Sequence, residues 1–156
     1  MGVRYSPHLQ ENVYKDTQLC GCMEVCIFCT IIAGKIPCFK VYEDECVLAF
    51  LDIKPHAMGH TVVIPKMHGE VIFDLPEREQ GALMLAVSKV MQILEKKLHC
   101  GGFNVGWNHH AIAGQVVPHL HVHILPRYSG DNGWSIHSII HNAGPKSVEE
   151  ISKLFK

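Results

Sequence analysis

Apolar positions along this chain follow two rhythms. Short runs, "CFKVYE" from Cys38, "CVLAFLD" from Cys46 and "HTVVIP" from His60, are rich in β-branched and aromatic residues and are broken by Glu-Asp, Pro or Gly. That pattern predicts strands joined as an antiparallel meander. From Asp74 the rhythm changes. Leu83, Val87, Val90, Met91, Leu94 and Leu98 recur at helical spacing, and Asp74 with Glu77 three positions later has the form of a capping box. One long helix is predicted, its apolar and Met-rich stripe turned to the core. Gly101-Gly102 should stop it, and "FNVGWN" from Phe103 reads as a further strand. The tail from Tyr128 to Pro145 is rich in Gly, Asn and Ser and carries Trp134. Beyond it, Ser147 and Glu150 can cap a short amphipathic helix through Val148, Ile151, Leu154 and Phe155. Such a tail can fold back on its own domain or pack on a partner subunit. Residues 1–25 lack apolar periodicity and read as a loosely held extension. The expected organisation is an extension over 1–25, a domain over 26–130 and a tail over 131–156.

One strand pattern carries chemistry. In "PHLHVHILPR", Pro118 to Arg127, a histidine occupies every second position, at His119, His121 and His123. In an extended segment these share one face, while Leu120, Val122 and Ile124 take the other. Histidine is an uncommon strand residue, so three repeats are poorly explained as a polar strand face. Metal ligation by neutral imidazoles and phosphate chemistry by a nucleophilic or acid–base histidine both fit the pattern.

Composition narrows the field. The chain has 156 residues, 47% of them hydrophobic, and a formal net charge of −1. This suits one globular domain, excludes a disorder-dominated class, and offers no basic surface for tracking a nucleic-acid backbone. Any nucleotide bound should be small. The cysteines number seven, and there is neither a signal-like segment nor an apolar run of membrane-spanning length, which points to a reducing, cytoplasmic setting and no membrane. The opening "MGVRYS" matches the bare pattern for lipidation of Gly2, but six residues carry little.

Cys26 and Cys29 form a C-x-x-C, which inside a cell means zinc, a redox pair or coincidence. The meander lacks the βαβ context of a redox pair, and His68 and His119 are available as further zinc ligands. His60 at a strand start and Asp52 before a "KP" turn are unremarkable singly. His56, His99, His109, His110, His137 and His141 read as solvated.

The segments "CIFCTIIAGKIP", "LAFLDIKPHAMGHTVVIPKMH", "GFNVGWN" and "AGQVVPHLHVHILPR" together resemble, in order and spacing, the histidine triad family, in its bacterial or archaeal type with a zinc-binding C-x-x-C. The likeness runs from about Cys26 to Arg127. It implies an α+β fold, a five-stranded antiparallel sheet with one long helix and short terminal helices, assembled as a homodimer. It also implies transfer or hydrolysis at the α-phosphate of a nucleotide. By the same likeness His121 matches the nucleophile, His123 a phosphate-contacting residue and His60 the histidine that completes the cluster. Asp52 matches the residue that holds ribose hydroxyls, Asn108 a polar residue near the phosphate, and Gly114 with Gln115 the loop that binds phosphate oxygens. Cys26, Cys29, His68 and His119 match a closed structural zinc set. Where many members carry Ser or Thr after that Gln, this chain has Val116, so a hydroxyl near the phosphate is missing.

The reading that follows is a hydrolase or nucleotidyl transferase acting on a dinucleoside polyphosphate or an adenylylated compound through a nucleotidyl-histidine. A purine nucleoside phosphoramidase is the rival within the enzyme class, and Pro126-Arg127 leans away from it. A non-catalytic nucleotide-binding scaffold is the rival of another kind. Catalytic zinc on the histidine row would need an open coordination position and a general base, and the sequence singles out no such base.

Overall fold

The computed structural model describes residues 26–155, so the extension over 1–25, with Gly2, lies outside the described residues. In chain order the elements are α1 (Ile27–Ile32), β1 (Lys40–Glu43), β2 (Val47–Leu51), β3 (Thr61–Pro65), α2 (Glu77–Leu98), β4 (Gly102–Gly106), β5 (Val122–Arg127) and α3 (Val148–Ser152). The strands form one antiparallel sheet in the order β1-β2-β3-β5-β4. The meander holds through β3, and β5 then enters between β3 and β4.

Both faces of the central strands are covered, and period-two alternation assigns them. Val47, Ala49, Val63, Leu120, Val122 and Ile124 pack under the α2 stripe of Leu83, Ala86, Val87, Val90 and Leu94. Leu48, Phe50, Val62 and Ile64 point the other way, under Phe28, Ile31 and Ile32 of α1. Each large aliphatic residue so removed from water contributes about 1.5–3 kcal/mol, which makes the α2 contact the main determinant of which way each strand faces. Val62 pairs with His123 across β3 and β5, so the histidines lie on the α1 side, opposite the long helix.

Three local expectations are corrected. Asp74 does not cap α2: it ends a separate 3-10 turn (Ile72–Asp74), where its carboxylate accepts from Val71 N–H at 3.0 Å. The helix starts after Pro76, whose fixed φ suits a helix entrance. Its end comes before the glycine pair, with His99 in the left-handed region at φ 53°. Finally, β4 covers Gly102–Gly106, leaving Trp107 and Asn108 in the connection that follows. The Ser147–Glu150 capping box forms as expected.

Gly59 is the backbone position on which the site leans. It has φ 80°, and a Cβ there would run into Leu98 of α2, so only glycine lets the chain turn tightly into His60.

Candidate functional site

Only His123 of the histidine row lies within β5. His119 and His121 belong to the segment leading into it, which is held by Leu120 N–H on the Gly69 carbonyl at 2.7 Å. The alternation nevertheless runs through the whole segment, since Leu120, Val122 and Ile124 all enter the core under α2. Phe28 of α1 meets His119 and His121 edge-on, with ring centroids 5.7 and 5.3 Å away.

Hydrogen bonds assign each ring a different free nitrogen. His119 Nε2 lies 2.9 Å from the Pro65 carbonyl, which can only accept; the proton is therefore on Nε2, and Nδ1 presents a lone pair. His121 is held the opposite way. Its Nδ1 lies 2.7 Å from the His119 carbonyl, so in the neutral ring Nε2 is the unprotonated atom. His60 Nδ1 accepts from His56 N–H at 3.3 Å, and its Nε2 lies 2.9 Å from His123 Nδ1. The neutral pair then has His60 Nε2–H donating to His123 and leaves His123 with its proton on Nε2. Asp52, 3.7 Å from His60 Nδ1, has its carboxylate oriented by Lys54 N–H at 2.8 Å.

The lone pair of His119 Nδ1 points into a group formed with Cys26, Cys29 and His68. The separations are 3.4 Å from Cys26 Sγ to His119 Nδ1, 3.6 Å from Cys29 Sγ to His119 Nδ1, 3.3 Å from Cys29 Sγ to His68 Nδ1, and 3.2 Å between the two imidazole nitrogens. A tetrahedral ion with nitrogen ligands at about 2.05 Å and sulfur at about 2.3 Å has edges of about 3.3–3.8 Å. These four separations lie close to such edges, all four ligand atoms lie within 4.8 Å of one another, and the group could hold a metal ion. Burial and the adjacent Cys26 push the Cys29 thiol up to about 11, a penalty that a bound cation reverses.

A cavity of about 480 Å³ opens beside His121. Ile27, Phe28, Phe50 and Val62 give it an apolar wall, while Asp52, His60, His123 and Asn108 border it with polar groups. Gly114, at φ 94°, and Val116 bring backbone to its edge. Among the described residues the N–H groups of Val116 and Val117 have no protein acceptor, which suits them to an anion. The Gln115 side chain is engaged within its own loop. It accepts from His110 N–H at 2.8 Å and donates to the carbonyls of Glu70 and Val117 at 2.8 and 3.2 Å. Its amide thus braces the loop, and the groups facing the cavity are backbone.

Sequence reasoning set His56 aside as solvated, yet its N–H fixes the His60 tautomer and its side chain borders the cavity. No local signal marks it, because the contact depends on closure of the turn at Gly59. The apolar wall at Ile27 and Phe28 was likewise missed as a binding surface, although it lies between the two cysteines. His109 and His110 stay outside the cavity.

Burial, helped by the neighbouring His121 and His60, holds His123 down at about 4, and burial also lowers His60 in spite of Asp52. Both rings stay neutral in the folded chain at pH values where an unfolded imidazole, near 6.5, has taken up a proton. The unfolded state then binds more protons. Stability is full above pH 6.5 and falls as pH descends; for His123 the fall continues toward about 4, by at most about 1.4 kcal/mol per pH unit, and His60 acts in the same direction. Denaturant titrations between pH 7 and pH 4.5 measure the slope, which His123→Asn is expected to flatten by one proton's share.

Comparison with known proteins agrees with this geometry. A family model described as the HIT domain matches residues 33–130. An uncharacterised HIT-like protein of Methanocaldococcus jannaschii is 50% identical over 69% of this chain and 82% of its own length. A protein of Schizosaccharomyces pombe named adenosine 5'-monophosphoramidase is 36% identical over 84% and 98%, and an Arabidopsis thaliana protein named adenylylsulfatase is 38% identical over 73% and 58%. The crystal structure of a HIT-family member from Bacillus subtilis superposes with a TM-score of 0.71 at 40% identity, covering 85% of this chain and 95% of that one. A zinc-bound histidine triad family protein from Mycobacterium smegmatis does so with a TM-score of 0.64 at 41% identity, covering 69% and 78%. With its sheet, its imidazole row and the matched span all coinciding, the chain belongs to the HIT domain family.

Proposed function

We propose that this chain cleaves nucleoside phosphate conjugates at the α-phosphate through a covalent nucleotidyl intermediate on His121. The observation that carries the reading is the hydrogen bond from His121 Nδ1–H to the His119 carbonyl. It presents Nε2 as a lone pair on a ring that borders a cavity of nucleoside size. Imidazole attacks phosphorus well and, once phosphorylated, leaves well, so one hard displacement becomes two easier ones.

Nε2 of His121 forms the N–P bond as the bond from phosphorus to the leaving group breaks. Water then breaks the N–P bond, gives up its proton and releases the nucleoside monophosphate, restoring the neutral ring. Charge developing on the phosphate oxygens is met by His123 Nε2–H and by the N–H groups of Val116 and Val117, which are already oriented. Asp52 is in position to take ribose hydroxyls, and the apolar wall at Ile27, Phe28 and Phe50 to take the base. A His123 that is neutral down to about 4 in the free protein holds no proton in reserve. Leaving groups that depart as stable anions, such as phosphate, sulfate or carboxylate, need no proton from the site, whereas amines must leave protonated. The two relatives named for their activity, an adenylylsulfatase and an adenosine 5'-monophosphoramidase, mark the two sides of that choice, and relative kcat/KM on P–O–P, P–O–acyl and P–N substrates decides it.

The metal group is proposed to hold structural zinc, which would tie α1 to the segment carrying His119 and so brace the His121 backbone contact. The five described cysteines are all free, in keeping with a reducing compartment. No helix among the described residues is long and apolar enough to cross a membrane. Two copies are proposed to pair, because β4 ends the sheet while Met84, Leu85 and Trp107 are exposed apolar surface.

Replacing His121 by Ala should lower kcat by at least roughly a thousandfold with little change in nucleotide affinity, since the lost contact acts in the transition state. His123→Ala should cost about a hundredfold. Rapid quench with a label in the α-phosphate should trap it on His121, and label on any other residue would refute the assignment. Elemental analysis of protein prepared without chelators is expected to give one zinc per chain. Cys29→Ala should lose the metal and at least about 3 kcal/mol of stability, because metal binding energy is folding energy. Light scattering at micromolar concentration should return the mass of two chains; a monomer would exclude the pairing.

A further inference from the structure

His60 reaches the site from a turn whose shape depends on one peptide. Ala57 to His60 close on the bond from His60 N–H to the Ala57 carbonyl at 3.0 Å. Gly59 stands at φ 80°, and Met58 is not among the residues of positive φ. Those features define a type II turn with Met58 and Gly59 as its central pair. A type I turn differs from it by about 150° in ψ of the second residue and about 170° in φ of the third, a rotation of the central peptide that reverses the Met58 carbonyl. Glycine takes either sign of φ with similar ease, so Gly59 itself does not prevent that rotation.

The neighbouring peptides are held locally. Thr61 Oγ1 donates to the Gly59 carbonyl at 2.9 Å, and Asp52 N–H to the His60 carbonyl at 2.9 Å. The central peptide is held from 70 residues away, by the Tyr128 hydroxyl donating to the Met58 carbonyl at 3.0 Å. Among the described residues no other hydrogen bond reaches that peptide. Tyr128 is itself fixed by the clamp at the end of β5. Its N–H donates to Asp131 at 2.9 Å, and Asp131 makes a two-pronged ion pair with Arg127, Nε to Oδ2 at 2.7 Å and Nη2 to Oδ1 at 2.8 Å. The Nη1 of Arg127 donates to the Trp134 carbonyl at 2.8 Å and to the Asn104 side chain. The guanidinium, with the N–H groups of Tyr128 and Gly133, holds the Asp131 carboxyl well below the usual range. Tyr128 therefore offers its hydroxyl from a rigid base.

We propose that Tyr128 is a positioning residue for His60, its hydroxyl latching the central peptide of the turn so that the His60–His123 pair keeps the one tautomeric state that presents a donor to the phosphate. The effect on rate rests on the proposed nucleotidyl transfer at His121. With the turn closed in its present form, His56 N–H reaches His60 Nδ1 at 3.3 Å, and His60 Nε2–H donates to His123 Nδ1 at 2.9 Å. His123 is left with its proton on Nε2. Rotation of the central peptide moves the His60 backbone, and the long His56 contact is the first to go. His60 can then carry its proton on Nδ1, toward the Asp52 carboxylate 3.7 Å away. The pair reverses. His60 Nε2 becomes the acceptor, His123 Nδ1–H the donor, and His123 Nε2 a lone pair turned to an anion it can no longer meet. Each ring still carries one proton, so the two states are both neutral and differ only in what they show the phosphate. A single neutral hydrogen bond biases such a choice by about three- to tenfold.

The test is Tyr128→Phe, which removes the hydroxyl and keeps the ring. Nitrogen NMR shifts of the imidazoles, read at neutral pH without nucleotide, separate protonated from unprotonated ring atoms. In the unsubstituted protein His60 and His123 should each be protonated at Nε2 and bare at Nδ1. In the variant both should move toward the average of the two tautomers while His121 keeps its shifts. On a P–O–P substrate kcat should fall about three- to tenfold with AMP affinity unchanged. Adding Met58→Pro should restore both readouts, because Pro followed by Gly favours the type II turn without the hydroxyl, and Met58 N–H has no acceptor among the described residues to lose. A fall in kcat with unmoved His60 and His123 shifts overturns the inference. So does a change that spreads to His121 together with a lowered melting temperature, which would make Tyr128 a general brace of the fold. Absence of turnover in the unsubstituted protein refutes the proposed reaction, whereas the nitrogen shifts support or overturn the latch on their own.

Discussion

Burial of Leu120, Val122 and Ile124 beneath α2 is the constraint from which the rest of the site follows. Alternate residues of an extended segment point to opposite faces, so placing these three in the core sends His119, His121 and His123 to the other side. A slip of one residue would put three imidazoles under a long apolar helix and three aliphatic side chains into the cavity. Each reversed pair would lose roughly the 1.5–3 kcal/mol of a buried aliphatic side chain and also strand a polar ring. The register is therefore enforced by packing on the face away from the chemistry.

On the histidine face, hydrogen bonds and not sequence position differentiate three identical side chains. The Pro65 carbonyl leaves His119 with a free Nδ1, and the His119 carbonyl leaves His121 with a free Nε2. The His60 contact gives His123 a donor at Nε2. One ring is suited to a metal, the next to attack and the third to hold an anion. The residue that offers its ring to the metal group is also the one whose carbonyl orients His121, the proposed nucleophile, which couples the two sites through a single peptide unit. Burial keeps His60 and His123 neutral, so on the proposed mechanism a phosphate would be met by oriented dipoles, an arrangement that needs little reorganisation as charge develops.

The tail adds a separate layer. Asp131, Trp134 and Asn104 converge on Arg127, and the guanidinium is the geometric link between the sheet and a segment with little regular structure. An exposed ion pair by itself contributes little stability. Here the two-pronged geometry and the two further acceptors on one planar group supply direction, and they hold Trp134 at the edge of a cavity that runs from His123 over β4.

What the sequence determined by itself was whatever rested on local period and local spacing. The strand runs, the helix stripe from Leu83 to Leu98, the alternation from His119 to Ile124 and the Ser147–Glu150 capping box were all legible, because each depends on neighbours within a turn or a pleat. The C-x-x-C and the matching motifs named the residues of both clusters. Tertiary structure alone decided which imidazole nitrogen is free, since the partners at Pro65, His56 and the His119 carbonyl become neighbours only when β3, β5 and the turn at Gly59 close on one another. It also made the Gln115 side chain a brace of its loop, because the carbonyls of Glu70 and Val117 reach its amide only in the folded loop. His56 and Arg127 acquired their places for the same reason. A side chain's chemistry belongs to the sequence, but the atom it presents is set by contacts across long chain separations, and local pattern carries no trace of those.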